Sequence, residues 1–477
     1  MSNRSTGNNK TVIIRGFSIL VIVFSVLGYF TEKTLKSINP NQSKNDNSKV
    51  VSSDNGLKVE ELWSQGNQIL ITADSGIQKI EGARAYQNKN YKKAQLKFKE
   101  SLASYSNDPE SLIYLNNSKA LLQGNELTIA VSVPIGRNLN SALEILRGVA
   151  QAQHQFNSER GDKDRLLKVI IANDNNDPIL AKKIATHFVK EGEVLAVVGH
   201  NASDASIAAA SIYQKGGLVM ITPTSSAKSL TPIGNYIYRA TPSTRDLADK
   251  LADYVVNVSR KTNIAVCADN QAQASVSFKS DFTWAVYNYG GIINGIDCDF
   301  SASDFNPATV LNQVISNGAD ALLLAPSLRY LNQAIEVARA NRQQLALFGS
   351  HTTFSFTTLK EGQIEVNGLV LPVAWYPKPN EDNAFTENSD KLWSGTRSWR
   401  TAMAYDATQV ILHGLQQADS RKKLQEIIQN PSFRSQGALG TIRFMQNGDR
   451  ISRGVLVRVQ PGNKSGTGYD FAYLDYD

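Results

Sequence analysis

The stretch VVGHNASDASIAAASIYQKGGLVMITPTSSAKSLTPIGNYIYRATPS (197–243) carries the reading of this chain. It opens on the end of the apolar run VLAVVGH (194–200) and turns within a few residues into an alanine-rich helical segment near 203–215. Gly216-Gly217 stops that helix, and a second apolar run, GLVMITPT (217–224), follows. Strand, helix and strand in this order make a parallel βαβ unit, and runs this apolar suit strands covered on both faces. Both runs end in loops of hydroxyls and amides, Gly199-His200-Asn201-Ala202-Ser203-Asp204 and Thr222-Pro223-Thr224-Ser225-Ser226. Ligands of parallel sheets bind where strand C-termini meet helix N-termini.

The same alternation extends both ways. Before the stretch lie LTIAVSVP (127–134), a helix near 139–156, LLKVIIAND (166–174) and a helix near 178–190. After it, a long helix near 243–259 leads to NIAVCADN (263–270), IINGIDCDF (292–300), ALLLAPS (321–327) and LALFGS (345–350), separated by helices. Helices near 399–416 and 420–430 and the strand-like TIRFMQ, GVLVRVQ and DFAYLDYD close the chain. The expected fold class is α/β, with tandem doubly wound parallel sheets forming two lobes around a cleft over 126–477.

With 477 residues the chain exceeds one compact core, and 42% hydrophobic against 19% charged residues excludes wholesale disorder. Residues 1–125 hold 16 Lys/Arg against 10 Asp/Glu, whereas the remaining 352 hold 34 against 33, so the net charge of +7 belongs to the N-terminal part. No basic face marks the main domain as a nucleic-acid binder. Five histidines and two cysteines leave no pattern for a metal site, and no metal or cofactor is expected.

Residues 11–31, around the apolar run 17–30, are long enough to span a membrane if Arg15 snorkels to the near interface. The first alanine is Ala73, so no A-x-A cleavage site follows the run and an uncleaved anchor is expected. Arg4, Lys10 and Arg15 place residues 1–10 in the cytoplasm, making this a single-pass inner-membrane protein with its main domain in the periplasm. Residues 32–56 read as a flexible polar linker. In 57–125, GARAYQNKNYKKAQLKFKESLASYSNDPE (82–110) places Gly82, Tyr91, Ala94 and Phe98 at spacings like those of a tetratricopeptide helix pair. This all-α spacer either docks a partner or packs on the main domain.

Ser203 sits where a helix begins, so free N–H groups and the positive dipole end favour an anion there. Asn201, Ser203, Thr224, Ser225 and Ser226 add polar groups that suit a small zwitterion better than a phosphate, since neither loop holds Lys or Arg. Ser203 also reads as a plain helix cap and 222–226 as a Pro-containing turn.

The quoted stretch resembles the leucine/isoleucine/valine-binding family of type I periplasmic solute receptors. The G-H-x-x-S step (199–203), the A-S-I-Y helix exit (210–213), M-I-T-P (220–223) and L-T-x-x-G-x-x-x-x-R (230–239) carry the likeness, which extends over about 126–477. It implies that Ser203, Thr224 and Ser226 grip the ligand's α-carboxylate and α-ammonium. It also implies lobe I at about 126–244 and 378–453 and lobe II at about 245–377 and 454–477, with crossings near 244, 377 and 453. In lobe II the chain departs from the family. Ala274-Ser275 stand where a tyrosine is common, Ser327 where an aromatic is expected, and His351 where an acid often follows L-F-G. Ser275, Ser327 and His351 are the candidate contacts there, and a branched-chain ligand does not follow from the likeness. Trp399 and Tyr405, on a lobe I helix, could edge the cleft, but core packing is the favoured reading.

Cys267 and Cys298 lie on strand runs of one lobe, and two buried free thiols are expected rather than a disulfide. No phosphate loop, G-x-G-x-x-G, H-E-x-x-H, C-x-x-C or G-x-S-x-G occurs. An enzyme would have only Asp174, His200 and Ser203 to draw on, and catalysis is not expected. The function read here is capture of a small amino-acid-like ligand for uptake by ABC permease subunits. The alternative is a ligand sensor or scaffold using the same cleft to signal to a partner.

Overall fold

The computed structural model describes residues 61–73, 75–161, 164–378, 384–394 and 398–476. The expected cytoplasmic segment 1–10, anchor 11–31 and linker 32–56, with the first residues of the spacer, lie outside them. Among the described residues no helix is long and apolar enough to cross a membrane.

The first sheet contains β1 (Trp63–Ser64), β2 (Leu127–Val133), β3 (Leu167–Asn173), β4 (Val194–Val198), β5 (Val219–Thr222) and β6 (Ile237–Arg239). Their order is β1-β3-β2-β4-β5-β6. All seven residues of β2 are buried, because helices cover both faces of a parallel sheet and leave no solvent side for polar residues. The second sheet contains β7 (Asn263–Ala268), β8 (Ile292–Ile293), β9 (Cys298–Asp299), β10 (Ala321–Ala325), β11 (Ala346–Gly349) and β12 (Val370–Val373). Beyond a separate hairpin of β13 (Ser435–Gly437) and β14 (Gly440–Ile442), β15 (Val455–Pro461) and β16 (Tyr469–Leu474) complete it antiparallel. The order is β16-β15-β12-β11-β10-β7-β8. TIRFMQ therefore supplies half of a small hairpin rather than a closing strand of the sheet.

Each sheet with its helices is one lobe. The chain passes from the first to the second between β6 and the helix Thr244–Asp253, returns between β12 and the helix Trp399–Leu415, and passes over again before β15. Two buried arginines tie these passages together. Arg239 Nε lies 2.6 Å from Asp449 Oδ1, and Arg450 Nη1 lies 2.6 Å from Asp406 Oδ2. Arg450 also donates to the Ala240 carbonyl.

The segment before the first sheet is built into it. Trp63–Ser64 pairs with the outer edge of β3. Further along that edge, the Asn117 side chain accepts from Val169 N at 2.8 Å and donates to Val169 O at 2.7 Å, completing the ladder in place of a strand. Such cover keeps an edge from pairing with other chains. The helices Ile77–Gln87 and Tyr91–Ser104 meet at Gly82, where a Cβ would come within 2.8 Å of the Phe98 ring. Lys79, buried, bridges Asp108 and Glu110 at 2.8 Å each, and Glu110 accepts from Leu70 N and Ile71 N.

The two cysteines correct the expectation of free thiols: Cys267 and Cys298 form a disulfide. IINGIDCDF does not run as one strand. It breaks after Ile293, and β9 lies beside β7 with Cys298 directly opposite Cys267, their Cα atoms 4.5 Å apart. That spacing lies in the range a disulfide needs.

Candidate functional site

The C-terminal ends of β4 and β5 place the two hydroxyl-rich loops at the gap between the lobes. Gly199 makes the first loop fit: its φ is +144°, and a Cβ there would come within 2.9 Å of the Ser132 carbonyl. Beneath it, His200 and Asp174 are fully buried and joined Nδ1 to Oδ2 at 2.6 Å. Ser132 donates to the same carboxylate oxygen, and His200 Nε2 meets Tyr213 OH at 3.2 Å. His200 is thus committed on both ring nitrogens, and Asp174, His200 and Ser203 do not form a nucleophile–base–orienter array. Ser203 Oγ instead accepts from Ala227 N.

A cavity of about 770 Å³ lies between the lobes. Asn201, Ser203, Thr224, Ser327 and His351 line it, as do Trp399 and Arg400. Ser203 is the first residue of the helix Ser203–Lys215, not its cap. The cap position is Ala202, whose own side chain cannot accept, and of the first N–H groups that of Ala202 is held by Asn176 Oδ1 at 3.2 Å. Thr224 Oγ1 donates to the Asn201 carbonyl at 2.8 Å, which fixes one loop against the other.

Three expected contacts are placed elsewhere. Ser225 is fully buried and its hydroxyl is held by Ser206 Oγ and the His200 carbonyl, so it supports the loop from behind. Ser275 donates to the Ala325 carbonyl and accepts from Asp269 N, tying two strand ends of lobe II together. Ser226 turns to the other lobe, its Oγ 3.2 Å from His351 Nε2. In each case a local backbone group or a facing side chain claims the hydroxyl.

Burial, followed by the nearby Arg400 charge, pushes His351 down to about 3. The ring is neutral at neutral pH, and its Nδ1 has no partner among the described residues. A neutral ring nitrogen can accept from an ammonium or donate to a carboxylate according to its tautomer. Ser327 Oγ and Trp399 Nε1 are likewise buried without a partner there. Two acids also line the cavity. Asp269 is buried. Asp204 has its carboxyl raised by burial, an effect opposed by the Gln273 N–H of lobe II.

Of the lining residues, the sequence favours Trp399 as core, and Arg400, Asp204 and Asp269 are not among the expected contacts. Asp204 stands in the first helical turn after β4 and Asp269 follows directly on β7, and their position at strand C-terminal ends was the available signal. Trp399 and Arg400 begin a helix some 200 residues from the Ser203 loop, and nothing local marks them.

The family model for periplasmic binding proteins matches residues 129–465. An amino acid binding protein of Pseudomonas aeruginosa is 30% identical over 146 residues, 30% of this chain and 39% of that protein. A Leu/Ile/Val-binding protein of Escherichia coli is 32% identical over 125 residues, 26% of this chain and 34% of that protein. These matches span well under two thirds of either relative. A leucine binding protein of Thermotoga maritima superposes with a TM-score of 0.63 at 20% identity, over 72% of this chain and 97% of that one. The two-lobed fold is that of type I periplasmic binding proteins, and this chain belongs to the periplasmic binding protein family.

Proposed function

We propose that the protein captures a small amino-acid-like solute in the cleft between its lobes and delivers it to an ABC-type permease. One observation carries this reading: Ser203 at a helix start whose cap residue offers no side-chain acceptor, Thr224, and the unpartnered polar atoms of Ser327 and His351 belong to residues lining one interlobe cavity. Free N–H groups and a dipole end favour a carboxylate, and the Asp204 and Asp269 carboxylates beside them favour an ammonium. The relatives named for amino acids support the same ligand class. No covalent step is needed for this role. Ligand contacts to both lobes would favour the closed arrangement by their differential affinity.

The proposal includes the membrane anchor at 11–31 and a periplasmic location for 126–477. The disulfide in lobe II fits an oxidising compartment. Isothermal titration calorimetry of the full chain in detergent, against the common amino acids and their amides, tests the ligand class. Saturable heat with at least one amino acid is expected, and silence across the panel overturns the reading.

A further inference from the structure

A second anion-favouring corner lies on the wall of the same cavity, at the start of the helix Trp399–Leu415. Trp399 is 2% exposed, and its indole N–H, a donor with no acceptor capacity, has no partner among the described residues. Arg400, 5% exposed, is bound through Nη1 alone, to Glu144 Oε2 at 3.0 Å and to the Phe354 carbonyl at 3.2 Å. Its remaining guanidinium N–H groups make no bond to a described residue. Arg400 also borders a second cavity of about 540 Å³ that shares Arg137, Asn138 and Leu328 with the first. Buried donors without acceptors are costly unless a ligand supplies the acceptor, and a guanidinium fork suits a carboxylate.

We propose, resting on the reading above, that the ligand bears an oxygen anion at this corner in addition to its α-carboxylate: it is an α-amino acid with an acidic side chain. The first turn of Ser203–Lys215 takes one carboxylate and Trp399 with Arg400 the other. Asp204 and Asp269 face the ammonium. Of the arginines lining the cavity, Arg137 pairs with Asp177 at 3.6 Å and Arg400 with Glu144, and Arg329 lies over the Tyr330 ring. The spare donors therefore separate polar from aliphatic side chains, and the guanidinium charge separates glutamate from glutamine. A branched aliphatic side chain would leave both Trp399 Nε1 and the guanidinium unpaired.

Titration calorimetry of the full chain with L-glutamate, L-glutamine and L-leucine tests this. Glutamate is expected to bind about tenfold tighter than glutamine, and leucine more weakly than either, as charge-assisted bonds exceed neutral ones. Arg400→Gln should bring the glutamate-to-glutamine ratio to about one, since a neutral amide no longer favours the anion. Trp399→Phe, which keeps the ring and leaves the Glu144 ion pair alone, should weaken glutamate and glutamine about fivefold while sparing leucine. Thermal melts of each variant report folding. If Arg400→Gln does not fold, the wild-type ratio and Trp399→Phe decide. Leucine binding as tightly as glutamate, or ratios unmoved by the variants, overturns this inference and leaves the amino-acid reading standing. Silence to the wider amino-acid panel overturns both.

Discussion

Ser226 Oγ and His351 Nε2 lie 3.2 Å apart and join the hydroxyl-rich loop of one lobe to the loop after β11 in the other. The pair is buried on both sides, and it joins the two lobes beside the cavity through a ring that is neutral at physiological pH.

Acid should loosen this arrangement. His351 is pushed down to about 3 in the folded chain, whereas an unfolded histidine titrates near about 6.5. Between those values the unfolded chain binds the proton and the folded one does not. Stability from this residue is therefore full above about pH 6.5 and is lost as pH falls toward 3, on the order of 3 kcal/mol by pH 4. Urea melts at pH 7 and pH 4 should show a smaller loss for His351→Gln than for the wild type. An identical loss in both proteins would show that His351 stays uncharged in neither state's favour.

Removing the Ser203 hydroxyl should weaken binding without unfolding the chain. The side chain receives one long bond, from Ala227 N at 3.3 Å, so little of the loop depends on it. Ser203→Ala is expected to weaken the tightest amino-acid ligand by about 1–2 kcal/mol, the scale of a hydrogen bond to a charged group. Calorimetry measures the loss, and an unchanged affinity removes Ser203 from the site.

The N-terminal helices should be indispensable to lobe I. A fragment beginning at residue 126 lacks Asn117 and β1, which cover the edge of β3, and is expected to aggregate where a fragment beginning at 61 stays monomeric. Size-exclusion chromatography compares the two. Within the longer fragment, Lys79→Met leaves Asp108 and Glu110 without their buried cation and should cost about 3–5 kcal/mol in denaturant melts. A loss below about 1 kcal/mol, the scale of an exposed pair, would contradict this.

Lobe II should depend on its disulfide. The bond closes a loop of 31 residues, for which the chain-entropy relation gives roughly 3–4 kcal/mol. Cys298→Ser is expected to lower the melting temperature under oxidising conditions, and excess reductant should add nothing further in that variant. Equal melting temperatures for oxidised wild type and the variant would sink the prediction.

Sequence patterning reached the sheets and the two loops beside the gap. The runs 194–198 and 218–221 are apolar throughout, and a helix separates them. Patterning failed where a run was interrupted. IINGIDCDF looks like one strand, and both of its halves run beside β7, but the register slips by two residues between them, which sets Cys298 rather than Ile296 opposite Cys267. At the site, Ser225 and Ser275 looked equivalent to Ser203. Their hydroxyls are taken by the Ser206 hydroxyl and the His200 carbonyl, and by the Ala325 carbonyl, and that competition depends on neighbours brought in by folding.

The order of residues alone dictates parallel sheets with polar loops at their C-terminal ends. Burial on both faces demands continuous apolar runs, and a helix start near Ser203 follows from its neighbours in the chain. The direction each loop side chain takes, and the arrival of His351, Trp399 and Arg400 at the same cavity, depend on docking one lobe against the other. Those contacts join residues one to two hundred positions apart, and no local pattern encodes which distant group will stand opposite.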